Sequence, residues 1–234
     1  MRTLTTWSVA DYQHMRELGI LDRRRCELIN GEIWDMAPEG EFQALLNYGM
    51  NLPPSPQFWG SRISQSPPEL GDLGGKIANN SDRFIFRFSN AEFHWFLNDQ
   101  GADYLRRVLQ DKAKIFEAHP ITLAASEPQP DIAIVRLPNI RYLKHHPYPE
   151  DIYWLIEVAD TTLAYDLGTK RTLYAEAGIP EYWVINIADR TLTVFSDLQN
   201  NDFAKQDTVS SGIIHPVAFP EVAIDIQNLV SIPK

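Results

Sequence analysis

Three charged side chains stand at positions where burial would be costly. Asp131 starts an apolar segment and Glu157 lies near the end of another, 13 residues before Lys170. A buried carboxylate must be paired, hydrogen-bonded or bound to a cation. If the two segments are neighbouring strands, Asp131 and Glu157 project into one pocket. Two carboxylates converging there form an oxygen site suited to Mg²⁺ or Mn²⁺.

The helix predicted after Glu157 can bring Asp166 or Lys170 over the strand ends. A lysine beside metal-bound water can orient that water, or stabilise charge on a phosphate during in-line attack. Spacing alone also allows a structural interpretation, in which Glu157 and Lys170 form a buried ion pair and Asp131 caps a turn. Both interpretations stay open on the pattern alone.

The elements that must position these side chains form a mixed pattern. Apolar runs with few polar interruptions predict strands, and a helix is predicted over 163–177, where Gly178 ends it. A second helix is predicted over 91–109. The sum is an α/β (α+β) fold, a mixed sheet flanked by helices. The predicted strands and extended segments are 114–116, 121–123, 131–135, 152–158, 181–186 and 192–195.

The amino-terminal residues predict a helix followed by a hairpin. Apolar residues three apart lead from a Ser8 or Thr6 cap to a stop at Gly19. Between residues 26 and 36, Asn30 and Gly31 separate two apolar-bearing runs. An Asn-Gly pair supplies the positive φ angles of a type I′ turn, so these residues predict a β-hairpin.

Composition limits the classes of protein that fit. The 234 residues are 44% apolar, carry a formal charge of -10 and include a single cysteine, Cys26. One thiol forms no intramolecular disulfide, and no apolar run approaches 18 residues, so we expect a cytoplasmic protein and no membrane association. The negative charge repels nucleic acid at long range. Any nucleic-acid activity must therefore use a local site that recruits metal cations.

The stretch from residue 51 to 80 differs from the rest of the chain. It is rich in Pro, Ser and Gly and lacks the periodicity of a packed element. The flanking segments 41–47 and 92–98 share Glu, Phe, Leu and Asn at matching offsets. We interpret residues 1–234 as one domain interrupted by an insertion at about 43–91. Chance similarity of two amphipathic segments is the alternative. His94, within the second segment, is assigned to packing, with a helix cap near the site as the alternative.

Several motifs together resemble a known family. They are Pro130–Val135, Tyr153–Val158, Tyr165–Arg171, Tyr174–Val184 and the hairpin motif Glu27–Glu32. These motifs are similar to those of a large bacterial family of restriction-endonuclease-like proteins within the PD-(D/E)XK nuclease superfamily. The resemblance covers about residues 5–42 and 92–230, and the run from 166 to 184 is its most specific part.

The resemblance implies a four- or five-stranded mixed sheet and a metal-dependent phosphodiesterase site. Asp131 and Glu157 match the two acidic metal ligands of the family. The lysine expected two residues after the glutamate is replaced by Ala159, and Lys170 is the substitute. Glu27 matches an early glutamate, which is either a further metal ligand or a strand-edge residue in a hairpin salt bridge.

These observations predict an Mg²⁺- or Mn²⁺-dependent endonuclease that hydrolyses DNA, with Asp131, Glu157, Lys170 and Glu27 as its site residues. Cutting both strands of a duplex favours a homodimer or two successive events. Two alternatives remain. One is a non-catalytic or partner-binding protein on a degenerate nuclease scaffold, and the other is a hydrolase of a different phosphoester.

Overall fold

The computed structural model describes residues 5–22, 24–36 and 90–231. The predicted insertion at about 43–91 lies almost entirely outside these residues, as does the segment 41–47. The helices are α1 (Val9–Glu17), α2 (Asn90–Leu109), α3 (Leu163–Tyr165), α4 (Arg171–Glu176) and α5 (Gln227–Val230). The strands are β1 (Cys26–Ile29), β2 (Glu32–Asp35), β3 (Lys114–Glu117), β4 (Ile132–Val135), β5 (Ile152–Ala159), β6 (Tyr182–Asn186), β7 (Thr191–Gln199), β8 (Asp202–Val209), β9 (Ile213–Ile214) and β10 (Ile224–Asp225).

The amino-terminal unit has the predicted helix and hairpin. Ser8 caps α1 in a reciprocal pair with Asp11, in which each side chain bonds to the other residue's backbone N–H. Strands β1 and β2 are joined by Asn30 and Gly31, whose φ angles of 49° and 79° define the left-handed turn that the Asn-Gly pair predicts.

The main sheet has six strands in the order β3-β4-β5-β6-β7-β8. Strands β5 and β6 are parallel, and the other neighbouring pairs are antiparallel. The sheet is therefore larger than the four or five strands that the resemblance implies, because β3 and β8 extend its two edges. The expected extended segment 121–123 does not join it, since the Ile121, Thr122 and Leu123 amides bond to loop carbonyls.

Alternating side chains of β4 and β5 divide the core into two layers. Trp154 and Ile156 pack on one face with residues of α2 and α5. Ala133 and Leu155 pack on the other face with α4 residues such as Tyr174. Since side chains alternate along a strand, odd-numbered positions of β4 and of β5 from Leu155 onward share the face covered by α3 and α4. Asp131 and Glu157 have this parity.

The predicted helix over 163–177 is interrupted. Residues Asp166–Lys170 form a π turn between α3 and α4. Helix α4 ends at Glu176, and Gly178 follows it with a φ angle of 82°. A π turn adds one residue to the helical cycle and is enriched at functional sites. Periodicity predicts the helix correctly but not this local widening.

No helix among the described residues is long and apolar enough to span a membrane.

Glu127 links the amino-terminal unit to the main domain. Its buried carboxylate accepts a hydrogen bond from Gln13 Nε2 at 2.6 Å, and its backbone pairs with Leu28 of β1. Burial raises the pKa of Glu127 above its ordinary value, although Gln13 and Arg16 partly offset this effect. A carboxyl with a raised folded-state pKa stabilises the fold below its ordinary pKa of 4.5, and this contribution is lost as pH rises through the folded-state value.

We therefore expect Glu127→Gln to be at least as stable as the wild type at about pH 8, because the amide avoids the cost of burying a charge. The advantage should shrink toward about pH 4, where the carboxyl takes up its proton. Urea unfolding at the two pH values measures the difference. A variant less stable by more than about 1 kcal/mol at the higher pH would show that the interactions of the carboxylate with Gln13 and the charge of Arg16 outweigh burial.

Candidate active site

Strand register brings Asp131 and Glu157 together. Ile132 of β4 pairs with Ile156 of β5 in antiparallel orientation, so the next residue outward on each strand lies opposite the other. A hydrogen bond of 2.7 Å from the Val158 N–H to Asp131 Oδ2 joins the two strand ends. The two carboxylates that the sequence singled out therefore share one end and one face of the sheet.

Glu157 is buried and accepts two hydrogen bonds on the same oxygen. Lys170 Nζ lies 2.9 Å from Glu157 Oε1, and the Tyr174 hydroxyl donates to Oε1 at 2.8 Å. The buried ion pair of the structural interpretation is thus present. Because both donors bind Oε1, Oε2 is the oxygen of Glu157 that remains for another ligand among the described contacts.

The π turn places Asp166 and Lys170 on the inner side of the helix. Lys170 Nζ lies 3.8 Å from Asp166 Oδ1, and the Thr162 hydroxyl donates to Asp166 Oδ2 at 2.6 Å. The Tyr182 hydroxyl donates to the Asp166 carbonyl oxygen at 3.1 Å, inside the core. This bond supports the widened turn, and the turn carries Lys170 to Glu157.

Glu27 reaches the edge of the same cluster from β1. Its buried carboxylate accepts the Gln129 N–H at 3.2 Å, and its cross-strand neighbour in the hairpin is Trp34. The charge of Glu27 acts on Lys170 and on Tyr165, and burial followed by this charge raises the pKa of Tyr165 to about 12. Glu27 therefore contributes negative charge to the cluster and is held by the main domain.

His94 is the residue whose placement differs most from expectation. Its Nε2 lies 3.3 Å from Asp131 Oδ2, so the side chain contacts the site and is not simply packed in the core. The sequence signal was a lone polar residue in the aromatic run 93–96. Tyr174, Tyr182 and Thr162 were also missed as supporting residues, because their partners become visible only when the helix is placed on the sheet.

The cluster holds more carboxylates than cations, and the pKa values follow from this. Burial opposes the charged form of Lys170, but Glu157, Glu27, Asp166 and Asp131 outweigh it and raise the lysine pKa. Lys170 is therefore protonated at neutral pH. Burial raises the pKa of Glu157 well above its ordinary value. The charge of Lys170 opposes this rise, and repulsion from Asp131 and Asp166 adds to it.

Asp131 and His94 stabilise each other's charged forms. Burial works against ionisation of Asp131, but His94, Lys170 and the Val158 N–H outweigh it and lower the pKa of the carboxyl. Burial also works against protonation of His94, and the charge of Asp131 outweighs it and raises the imidazole pKa. Burial raises the pKa of Asp166.

Two carboxylate oxygens of the cluster fit a hard divalent cation. Both donors to Asp131 bind Oδ2, so among the described residues Oδ1 remains for a ligand, as Oε2 does on Glu157. Carboxylate oxygens are the ligands that Mg²⁺ and Mn²⁺ prefer. Within residues 5–22, 24–36 and 90–231, no set of three or more His, Cys, Asp and Glu side chains is arranged to hold a metal. Two carboxylates would leave most of the coordination shell to water or substrate.

The six-stranded mixed sheet flanked by helices is a restriction-endonuclease-like fold. A family profile described as "Uma2: Putative restriction endonuclease" matches residues 88–227, more than half of the chain. The chain belongs to this family.

A crystal structure shows the same fold. It is of a protein from Anabaena variabilis ATCC 29413 described as "a putative nuclease belonging to DUF820". The two chains superpose with a TM-score of 0.52 at 15% identity, over 88% of this chain and 89% of the other. No curated protein shows significant sequence similarity to the chain.

Proposed function

We propose that the protein is a divalent-metal-dependent nuclease that hydrolyses DNA phosphodiester bonds. The observation that carries this proposal is the juxtaposition of Asp131, Glu157 and protonated Lys170 at one end of the sheet. The chain belongs to a family described as restriction endonucleases, and this membership supports DNA phosphodiester bonds as the substrate. The formal charge of -10 disfavours broad, non-specific DNA binding, so contact with DNA is expected to be local.

Asp131 Oδ1 and Glu157 Oε2 would hold Mg²⁺ or Mn²⁺. When bound, the cation supplies positive charge that polarises a phosphoryl oxygen and favours deprotonation of water. The protein helps to orient the two carboxylates, because the Val158 N–H donates to Asp131 Oδ2 and the Tyr174 hydroxyl donates to Glu157 Oε1.

Lys170 acts as a donor in this proposal. Its raised pKa keeps the ammonium protonated, so it is not a general base at neutral pH. An ammonium held 2.9 Å from Glu157 can donate a hydrogen bond to a nucleophilic water, or stabilise the charge that develops on the phosphate. Lys170 therefore fills the role of the lysine that Ala159 replaces two residues after Glu157.

A second candidate is a non-catalytic protein on the same fold. The observation that favours it is the Glu157 and Lys170 ion pair, which neutralises the carboxylate without a metal. Such a pair is also compatible with a metal site, because it uses only one of the two carboxylate oxygens. Binding of a divalent cation separates the two candidates.

Calorimetric titration of the wild-type protein with Mn²⁺ at neutral pH tests the proposal. We expect saturable binding at up to millimolar concentration, and Mn²⁺-dependent nicking of plasmid or single-stranded DNA that EDTA stops. Size-exclusion chromatography with light scattering under the same conditions tests the homodimer. A protein that binds no divalent cation at millimolar concentration and cuts neither substrate would contradict the proposal and favour the non-catalytic candidate.

A further inference from the structure

His94 contacts the site from the opposite layer of the protein. It lies near the start of α2, whose buried residues Leu97 and Leu105 pack against the face of the sheet away from Glu157. At the sheet end the imidazole reaches Asp131, with Nε2 3.3 Å from Oδ2. The His94 side chain is 37% exposed and that of Asp131 is 19% exposed, so both border the solvent-facing edge of the cluster.

Three contacts now fix Asp131. Its carbonyl oxygen accepts the Ala118 N–H at 2.9 Å, which holds the backbone. The Val158 N–H and His94 both approach Oδ2. A single donor on one carboxylate oxygen leaves the group free to rotate about that bond, whereas two donors from different directions fix its plane. The plane determines where Oδ1 points.

We propose that His94 is a positioning residue that sets the direction in which Asp131 Oδ1 is presented to a divalent cation. This inference rests on the proposed metal site, and it adds a residue that acts through Asp131 without binding the metal. Groups that hydrogen-bond to a metal-ligating carboxylate commonly change metal affinity by about 10- to 100-fold. In the neutral imidazole, the arrangement requires the proton on Nε2.

The test is Mn²⁺ affinity in a graded set of variants. His94→Ala removes the donor, and we expect Mn²⁺ to bind about tenfold more weakly or worse. His94→Gln can place an amide N–H at a reach similar to that of Nε2, so its affinity should stay within about threefold of the wild type. His94→Asn is one methylene shorter and should resemble the alanine variant. His215→Gln, at an exposed position outside the cluster, is the matched control.

The Mn²⁺ affinities of the His94 variants show whether His94 is a positioning residue. Equal Mn²⁺ affinity in His94→Ala and the wild type would overturn this inference. Equal loss in the alanine and glutamine variants, with a matching fall in melting temperature, would show that His94 acts through packing and would also overturn it.

A measurement without metal separates this inference from the proposed function. Nitrogen NMR of the metal-free wild type should show a proton on Nε2 of His94, in the neutral ring and in the imidazolium alike. A neutral ring protonated only on Nδ1 would overturn the positioning role even if Mn²⁺ binds. A wild type that binds no Mn²⁺ would instead refute the metal site itself, and the positioning role with it.

Discussion

Lys170→Met is expected to remove most DNA cleavage while strengthening the binding of Mn²⁺. The ammonium is no metal ligand, and it lies 2.9 Å from the carboxylate that would hold the cation. Removing its charge lowers the repulsion that the cation meets, which should raise affinity on the order of tenfold. Loss of the donor should lower turnover by about 10² or more. Calorimetry and plasmid nicking under single-turnover conditions measure the two effects.

The same substitution should destabilise the metal-free protein. It leaves Glu157 buried with the Tyr174 hydroxyl but without its cation, and breaking one side of a buried ion pair costs about 3–5 kcal/mol. Mn²⁺ should restore much of this loss. Lys205→Met, on the surface of β8, is the matched control. It should change neither the stability of the metal-free protein nor the binding of Mn²⁺. Lys170→Gln retains a polar group and serves if the methionine variant does not fold. Weaker Mn²⁺ binding in a folded variant would contradict this account of Lys170.

Glu157→Gln is expected to lower Mn²⁺ affinity and cleavage together, each by about 10² or more, because an amide oxygen carries no charge to hold the cation. The fold should survive, since Lys170 keeps Asp166, Asp131 and Glu27 as neighbouring carboxylates. Asp131→Asn should behave in the same way. Calorimetry, thermal melting and nicking assays report affinity, folding and activity separately.

Glu127→Gln is the control for these two variants. It also replaces a buried glutamate by glutamine, but Glu127 bonds to Gln13 and lies outside the charges that act on Lys170. Its Mn²⁺ affinity and cleavage should equal those of the wild type. If Glu157→Gln kept full affinity for Mn²⁺, the cation would have to bind elsewhere.

The central strands could be predicted from sequence because they follow from short-range patterns, whereas their pairing remained a condition of the prediction. The nearly unbroken apolar run 152–158 predicts a strand covered on both faces, and Asn30-Gly31 predicts a hairpin from backbone angles alone. The convergence of Asp131 and Glu157 follows once β4 and β5 are neighbours. The register of the two strands then sets the two residues opposite each other, and the alternation of side chains puts both on the same face. The family and its fold were identified correctly from the resemblance of the motifs.

The rest depends on contacts between distant elements. The π turn from 166 to 170 is stabilised by the Tyr182 hydroxyl on β6, which no pattern within the helix reveals. His94 contacts Asp131, which is 37 residues later in the sequence, because the start of α2 lies beside the start of β4. Sequence spacing offered a metal site and an ion pair as alternatives. The structure contains the ion pair and also leaves one oxygen on each carboxylate for a metal.

The central claim is that Glu157 serves a metal-dependent nuclease and not only an ion pair. Its most direct test is the initial rate of supercoiled plasmid nicking against Mn²⁺ concentration, for the wild type and Glu157→Gln purified in parallel. We expect a saturable, EDTA-sensitive rate for the wild type and a rate at least about 10² lower for the variant. Equal rates for the two proteins, or no Mn²⁺-dependent nicking by the wild type, would contradict the claim.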